Sequence, residues 1–287
     1  RGTGSISSNT GAANALDAAT WSTALATGAF LGGIVVSTYG VNTAFIIDSI
    51  TFLIGALILL PLNLPQTVSK DMKGPIFRTA FQNIKAGFVR LIDEPRLKRI
   101  VFAKTTWNLA GGGLAAVFLV IAGSRMSPGE MAAGIGLFFM ARGIGTGIGP
   151  IIARKYLINK SKWPALVGIL VSVSGFFYLI IGITLFENLY LTIALIILAH
   201  AASGANWVLS TILTQQWVED EVRGRVFSID MLLMSVSFSF STFTAGWLLN
   251  NTELTLKMGM IWFSCAMIAF GIIFTMWRPG AHSVQTS

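Results

Sequence analysis

Residues 164–186 read PALVGILVSVSGFFYLIIGITLF, a run that contains no charged side chain. Lys162 lies just before the run and Glu187 directly follows it, so a charged residue stands near each end. A helix needs about 20 apolar residues to cross the hydrocarbon core of a bilayer, which is roughly 30 Å thick. The run is long enough, and we therefore predict that it forms a transmembrane helix.

Seven further runs of comparable length lie before and after this segment. Together they predict eight transmembrane helices, at 14–38, 44–62, 100–122, 131–153, 164–186, 189–216, 226–249 and 256–277. The chain of 287 residues is 54% hydrophobic and only 11% charged, whereas soluble domains carry about 25% charged residues. That composition excludes a soluble enzyme and a disordered tail, and the single cysteine, Cys265, excludes an intrachain disulfide. We predict an all-α, polytopic membrane protein.

The lysines and arginines are distributed unevenly among the connections. The two ends and one set of alternate loops hold 16 of the 20, whereas the opposite side has only Arg125 and Lys257. Basic loops stay in the cytoplasm, so we predict that both termini, the 63–99 connection and the 154–163 loop are cytoplasmic. The net charge of +8 does not indicate a nucleic-acid partner, because it is spread between apolar segments instead of forming a basic face.

The 63–99 connection is the only long loop between the predicted spans. Apolar residues recur in it at helical spacing, with basic residues between them: Phe77, Phe81, Ile84, Phe88 and Leu91 alternate with Arg78, Lys85 and Arg90. This pattern predicts an amphipathic helix. Such a helix can lie in the cytoplasmic headgroup plane or pack as a linker under the helix bundle, and the sequence leaves both alternatives open.

Four short segments resemble motifs of the major facilitator superfamily, in the bacterial branch that includes the enterobactin exporter and macrolide efflux permeases. They are ANAL at 13–16, GAFLGG at 28–33, AFIID at 44–48 and DEVRGRV at 220–226. The first three look like parts of the family's fifth and sixth helices. The last is similar to the acidic and RGR-containing loop before its eleventh helix, so the chain resembles helices five to twelve.

This resemblance implies a division of the chain. Residues 1–62 would be the last two helices of an N-terminal bundle, 63–99 a cytoplasmic linker, 100–280 a complete six-helix C-terminal bundle, and 281–287 a cytoplasmic tail. The chain opens on arginine instead of methionine, and we expect four further N-terminal helices as its partner within the same protein. The implied location is the bacterial cytoplasmic (inner) membrane.

The resemblance also implies a function. We expect a secondary transporter that works by alternating access and exports amphipathic small molecules, such as drugs or siderophores, by coupling to protons. The lipid bilayer, a small-molecule substrate and protons are the expected partners. A non-transporting membrane sensor or assembly protein is the alternative, and a passive channel is a third possibility. Because no metal-ligand spacing, nucleophile–base set or P-loop is present, we expect no enzyme activity, metal or cofactor.

Arg142 is the most informative candidate residue. It lies midway along a predicted span, where a charged side chain is costly and faces the bundle interior or a wet cavity. We predict either contact with an anionic substrate or a gating partner, or else a buried structural ion pair. The neighbouring Gly143 and Gly147 form a small-xxx-small pair. The resemblance implies that they face the first span, whose Gly28 and Gly32 are also four residues apart.

Other polar residues within the predicted spans are weaker candidates. Asp48 is either a proton-carrying carboxylate or a helix-start acid stabilised by the helix dipole. His200 is either a proton relay or a partner in an interhelical hydrogen bond. Asn206 and Trp107 line a cavity for the substrate or simply pack between helices.

The charged residues near the cytoplasmic ends have simpler explanations. We predict that Lys104 extends to the headgroups and that Asp17 and Asp230 begin helices at the cytoplasmic face. Arg223 and Arg225, in the DEVRGRV segment, form either a conformational latch or a solvated charged turn.

Overall fold

A computed structural model describes residues 3–61, 76–126, 131–156, 162–184 and 187–277. Helices make up almost all of these residues, and no strand occurs among them. In chain order they are α1 (Thr3–Tyr39), α2 (Val41–Leu59), α3 (Ile76–Asp93), α4 (Pro95–Gly112), a π-helical turn (Gly113–Phe118), α5 (Leu119–Met126), α6 (Met131–Tyr156), α7 (Trp163–Thr184), α8 (Leu189–Trp217), α9 (Asp220–Asn251) and α10 (Leu256–Met276). The predicted tail at 281–287 and residues 157–161 of the predicted 154–163 loop lie outside the described residues.

Eight helical segments of the described chain are long and apolar enough to cross a membrane, as predicted. They are Ala19–Tyr39, Val41–Leu59, Pro95–Arg125, Met131–Ala153, Trp163–Thr184, Leu189–Trp217, Asp220–Asn251 and Leu256–Met276. The third is continuous through α4, the π-helical turn and α5. The chain is therefore an all-helical protein with the composition of a multi-pass membrane protein.

Two of these segments begin more than one helical turn earlier than the hydropathy pattern predicts. The third begins at Pro95 instead of residue 100, because proline fits the first turn of a helix and the Glu94 side chain accepts a hydrogen bond from the Arg96 amide. The seventh begins at Asp220 instead of residue 226, since Asp220 and Glu221 in the first turn complement the helix dipole.

Close backbone contacts place α6 between α1 and α8. A Cβ atom on Gly143 would lie 2.5 Å from the Ala26 backbone nitrogen in α1, and one on Gly149 would collide with the Ala201 carbonyl oxygen in α8. Only glycine allows approaches this close. The two glycines face opposite neighbours, so both helices pack tightly against α6.

The prediction that Gly28 and Gly32 form the face of α1 that packs against Gly143 and Gly147 is wrong. A Cβ atom on Gly28 or Gly32 would meet nothing within 4 Å, whereas one on Gly33 would lie 2.7 Å from the Ala132 carbonyl oxygen. The contact face of α1 also contains Ser22, opposite Gly147, and Ala26. At 100° per residue, Gly28 and Gly32 point about 100–140° away from the centre of that face.

The largest buried cluster lies between the third span, α6, α7, α8 and α10. Its largest buried side chains include Phe118, Phe138, Tyr178, Ile196 and Met260. The helices α7 and α10 approach closely at Gly271, where a Cβ atom would collide with the Ser172 backbone nitrogen.

The helix α3 confirms the predicted amphipathic helix, and it docks under the bundle by one edge only. Leu91 is fully buried in a cluster with Leu97 and Val226, and a Cβ atom on Gly87 would lie 2.6 Å from the Arg225 carbonyl oxygen. Other apolar residues of the predicted stripe stay exposed: Phe81, Ile84 and Phe88. The packed edge is expected for a linker helix that packs against the bundle. The exposed apolar stripe is instead typical of an amphipathic helix that lies at a membrane surface.

A bidentate ion pair fastens α3 to the turn before α9. The Arg90 guanidinium donates hydrogen bonds to both carboxylate oxygens of Glu219, at 3.1 and 3.0 Å. These hydrogen bonds lower the pKa of Glu219 below its usual range and raise the pKa of Arg90. Because Glu219 is largely exposed, the pair contributes about 0–1 kcal/mol.

The Glu219 pair predicts a pH-dependent contact between α3 and α9. A carboxylate with a depressed pKa contributes stability that is complete above its unfolded-state pKa and is lost as the pH falls through its folded-state pKa. We therefore expect spin labels at Gln82 and Ser228 to give a distance distribution that is narrow above about pH 5 and broadens as the pH falls below the ordinary glutamate pKa of about 4.3.

Two substitutions control that measurement. Glu219→Gln should give the broad distribution at every pH, whereas Glu221→Gln, which changes an exposed neighbour, should keep the response of the unaltered protein. A pH response that persists in Glu219→Gln contradicts the assignment.

The glycine contacts predict that adding one methyl group lowers the free energy of unfolding by different amounts at different positions. Gly149→Ala forces α6 and α8 apart and should cost about 1–3 kcal/mol, whereas Gly28→Ala should be neutral or slightly stabilising because nothing lies near it. Thermal unfolding in detergent measures both. Equal unfolding temperatures for the two variants would contradict the helix packing.

Candidate functional site

A cavity of about 310 Å³ lies inside the bundle, between α1, α4, α6, α8 and α9. Four residues predicted to contact a substrate or protons line it: Arg142, His200, Asn206 and Trp107. Further lining side chains are Trp21, Ser22, Lys104, Asn108, Thr146, Ser203, Trp207, Met231 and Met234. The structure thus brings together, at one internal site, polar residues from four separate membrane-spanning segments.

The prediction that Lys104 extends to the headgroups is wrong. Lys104 is 3% exposed and forms an ion pair with Asp230, which is 2% exposed. Lys104 lies about 14 Å along α4 from Pro95, and Asp230 lies about 15 Å along α9 from Asp220. Both lie about two and a half to three turns inside their helices, so the prediction that Asp230 begins a helix at the cytoplasmic face is also wrong.

The surroundings of this ion pair are only partly complementary to it. The Lys104 ammonium lies 5.4 Å from the centroid of the Trp207 ring, a cation–π distance. The Lys104 side chain contacts Asp230 Oδ2, whereas Asp230 Oδ1 is buried and has no hydrogen-bond partner among the described residues. One carboxylate oxygen is therefore left with unused acceptor capacity.

His200 lies in a hydrogen-bonded group that joins α7 to α8. Its Nε2 atom is 2.7 Å from the Tyr178 hydroxyl oxygen, and its Nδ1 atom is 3.3 Å from the Ser203 hydroxyl oxygen. The edge of the Trp107 ring packs against it, and Trp107 Nε1 donates to Ser174 at 3.1 Å. The predicted interhelical hydrogen bond is present, and a proton-relay role stays a prediction.

Arg142 is half-buried in the cavity wall. Its guanidinium carbon lies 5.5 Å from the centroid of the Phe139 ring, and it pairs with none of the carboxylates whose side chains the structure describes, a set that leaves out Asp17 of α1. The predicted structural ion pair is therefore not formed within the described part of the chain. Asn206, which is 3% exposed, has a carbonyl oxygen, Oδ1, without a hydrogen-bond partner there.

Asp48 does not lie at this cavity. It occupies the eighth position of α2, a helix whose described residues are all at least partly exposed. The Thr51 hydroxyl donates to the Asp48 backbone oxygen at 2.7 Å. A proton-carrying role for Asp48 stays a prediction, and the described structure provides no contact between Asp48 and the other candidates.

The two arginines of the DEVRGRV segment take different positions. Arg223 pairs with Asp220 one turn earlier and donates to the Val218 carbonyl oxygen at 3.1 Å. Arg225 is exposed, and its backbone carbonyl contacts Gly87 of α3. The ionic contact with α3 runs through Glu219, so a latch at this place uses a residue just outside the predicted motif.

Three residues in or beside the cavity wall are not predicted from the sequence to lie there: Lys104, Asp230 and Tyr178. The sequence predicts that Lys104 and Asp230 lie at the membrane surface. This is because the predicted starts of their helices, at residues 100 and 226, lie further along the chain than the observed starts at Pro95 and Asp220, so both residues are predicted to lie too close to a helix end. Tyr178 lies in the all-apolar run 164–186 and has no distinguishing neighbour in the sequence. The pairing of opposite charges within the third and seventh spans was the available signal for the first two.

Comparisons with known proteins add nothing to these observations. No family model, curated protein or solved structure matches the chain. Function is therefore inferred from the cavity and its residues.

The buried ion pair predicts a non-additive pattern of stability. Asp230→Leu or Lys104→Met alone leaves one charge buried without its partner and should cost about 3–5 kcal/mol. The combined variant removes both charges and should recover most of that loss. Thermal unfolding in detergent gives the comparison.

Lys257→Met serves as the matched control, because Lys257 is an exposed lysine at the start of α10 and should change stability little. If Lys104→Met is as mild as Lys257→Met, the two charges are not paired in the bundle interior.

Proposed function

We propose that this chain belongs to a secondary active transporter of the bacterial cytoplasmic membrane, with the major facilitator fold, that exports amphipathic small molecules. The observation that supports this most strongly is the internal cavity, which is lined by Lys104 and Arg142. Lys104 is paired there with Asp230, and all three charges lie within long apolar helices. Charged side chains at that depth are costly and are typical of substrate or ion pathways.

The size and lining of the cavity support an amphipathic substrate. A volume of about 310 Å³ is at the lower end of the range for small-molecule sites, about 300–1,000 Å³. Indole rings and methionines form much of its wall, and a few polar groups interrupt them. Such a lining accommodates an apolar body and orients it by a small number of polar contacts.

An irregular helix beside the cavity supports a conformational change. The turn Gly113–Phe118 is π-helical, a geometry that often occurs at functional sites. There the Ser241 hydroxyl of α9 accepts a hydrogen bond from the Gly113 amide at 2.8 Å. We propose that α4 and α9 move as a unit at this point during alternating access. By the resemblance, α1, α2 and four further helices would form the other wall.

For coupling, we propose Asp230 as the proton acceptor. It is the carboxylate of the described residues that pairs with a charge inside the bundle, and its Oδ1 atom has unused acceptor capacity. A proton that binds the Asp230 carboxylate neutralises it and releases the Lys104 ammonium. The charge in the cavity then changes by one unit, and the contact between α4 and α9 loses its ionic part.

Flux through the complete gene product in proteoliposomes tests the proposal. With an imposed pH gradient, we expect proton-driven accumulation of fluorescent amphipathic dyes. Asp230→Asn should reduce gradient-driven accumulation at least about tenfold, an effect of the size expected for a lost charge-assisted contact. Asp48→Asn is the matched control and should retain it, because Asp48 lies away from the cavity.

The alternatives give different outcomes in the same assay. Flux that follows the gradient of the dye and ignores the pH step indicates a passive channel. The absence of flux for dyes of positive, neutral and negative charge indicates the non-transporting sensor or assembly protein. A loss of coupling in Asp48→Asn but not in Asp230→Asn would overturn the assignment of the proton acceptor.

A further inference from the structure

The charges that face the cavity do not cancel. The Lys104 ammonium on α4 is paired with the Asp230 carboxylate on α9. Arg142 on α6 has no carboxylate partner among the side chains that the structure describes, which do not include Asp17 of α1. On α8 the described lining side chain that titrates is His200, and α1 adds Trp21 and Ser22. Whether His200 is neutral or protonated, the described side chains at the cavity carry an excess of positive charge.

Arg142 is also suited by its chemistry to receive an anion. A guanidinium presents five donors in a planar fork that matches a carboxylate in bidentate geometry. In this structure the fork faces a cavity and an aromatic ring, with Phe139 at 5.5 Å. A cation–π contact of that kind holds the side chain in place without neutralising it.

Two buried polar atoms at the cavity have unused hydrogen-bonding capacity. Asn206 Oδ1 and Ser22 Oγ belong to side chains that are 3% and 4% exposed, and neither has a hydrogen-bond partner among the described residues. Buried polar atoms are nearly always paired, and an unpaired one requires an explanation. Asn206 Oδ1 only accepts, so the group that completes it is an O–H or N–H donor.

We propose that the cavity binds an organic anion with an aromatic body and a hydroxyl or amide donor. The carboxylate pairs with Arg142, the aromatic body lies against the Trp107 and Trp207 rings, and the donor reaches Asn206 Oδ1. This inference rests on the proposed function for the role of the cavity as the substrate site, and it deepens that proposal by naming the substrate class.

Binding of three matched probes tests this inference. They are 6-hydroxynaphthalene-2-carboxylate, its neutral carboxamide, and the cationic 2-aminomethyl analogue. Calorimetric titration of the detergent-solubilised protein gives their affinities. We expect the carboxylate to bind at least about tenfold more tightly than the carboxamide, because only the carboxylate forms the charge-assisted pair. We expect the cation to bind most weakly.

Substitutions then locate the contact. Arg142→Gln should abolish the preference for the carboxylate, and Arg142→Lys should keep part of it. Arg125→Gln is the matched control, because Arg125 is an exposed arginine at the end of α5, and it should keep the full preference. Asn206→Leu should lower the affinity for the hydroxylated probe several-fold and leave the affinity for unsubstituted naphthalene-2-carboxylate unchanged.

Each outcome decides the inference. Equal affinities for the three probes, a preference for the cation, or an unchanged preference in Arg142→Gln would overturn it. If Arg142→Gln does not fold, the probe series on the unaltered protein and the Asn206→Leu variant still decide.

The failure of the proposed function is distinguishable from the failure of this inference. Anion-selective binding without flux in proteoliposomes overturns the transporter and leaves the binding site standing. Proton-driven flux without anion selectivity overturns only the substrate class.

Discussion

The ion pair between Lys104 and Asp230 constrains how the third and seventh spans can lie against each other. Both charges are buried about three turns inside long apolar helices, and neither has another charged partner at that depth among the described residues. Breaking such a pair leaves an uncompensated charge in a medium of low polarity. The pair therefore sets both the depth and the rotation of α4 relative to α9, and the Gly113–Ser241 hydrogen bond continues the same interface.

The cavity follows from this arrangement together with the glycine contacts of α6. Gly143 and Gly149 bring α6 close to α1 and α8, while the indoles of Trp107 and Trp207 keep the space between α4 and α8 open. Close packing on one side and bulky rings on the other leave an internal site lined by polar groups. Arg142 directly precedes Gly143 in the chain, and successive residues of a helix point about 100° apart. Its side chain therefore points away from the close contact between Gly143 and α1 and lines the cavity.

Hydropathy alone predicts much of the fold, and in particular the eight spans, because crossing a bilayer imposes a length and composition that the sequence must display. It does not predict helix rotation, which depends on neighbours far along the chain. Gly28 and Gly32 illustrate this limit: their spacing is right for close packing, but the face opposite α6 is formed by Ser22, Ala26 and Gly33. For the site, Arg142 and His200 were recognisable as polar interruptions, whereas Tyr178 became visible only through its contact with His200.

The central proposal is that these helices cross a membrane in alternating directions, with the charged cavity at membrane depth and α3 on the cytoplasmic side. Labelling of single cysteines with a membrane-impermeant maleimide in intact bacterial cells, in a Cys265→Ser background, tests it most directly. We expect Glu253→Cys, in the turn before α10, to react in intact cells, and Ala80→Cys, in α3, to react only after permeabilisation. Reaction of Ala80→Cys in intact cells would contradict the account.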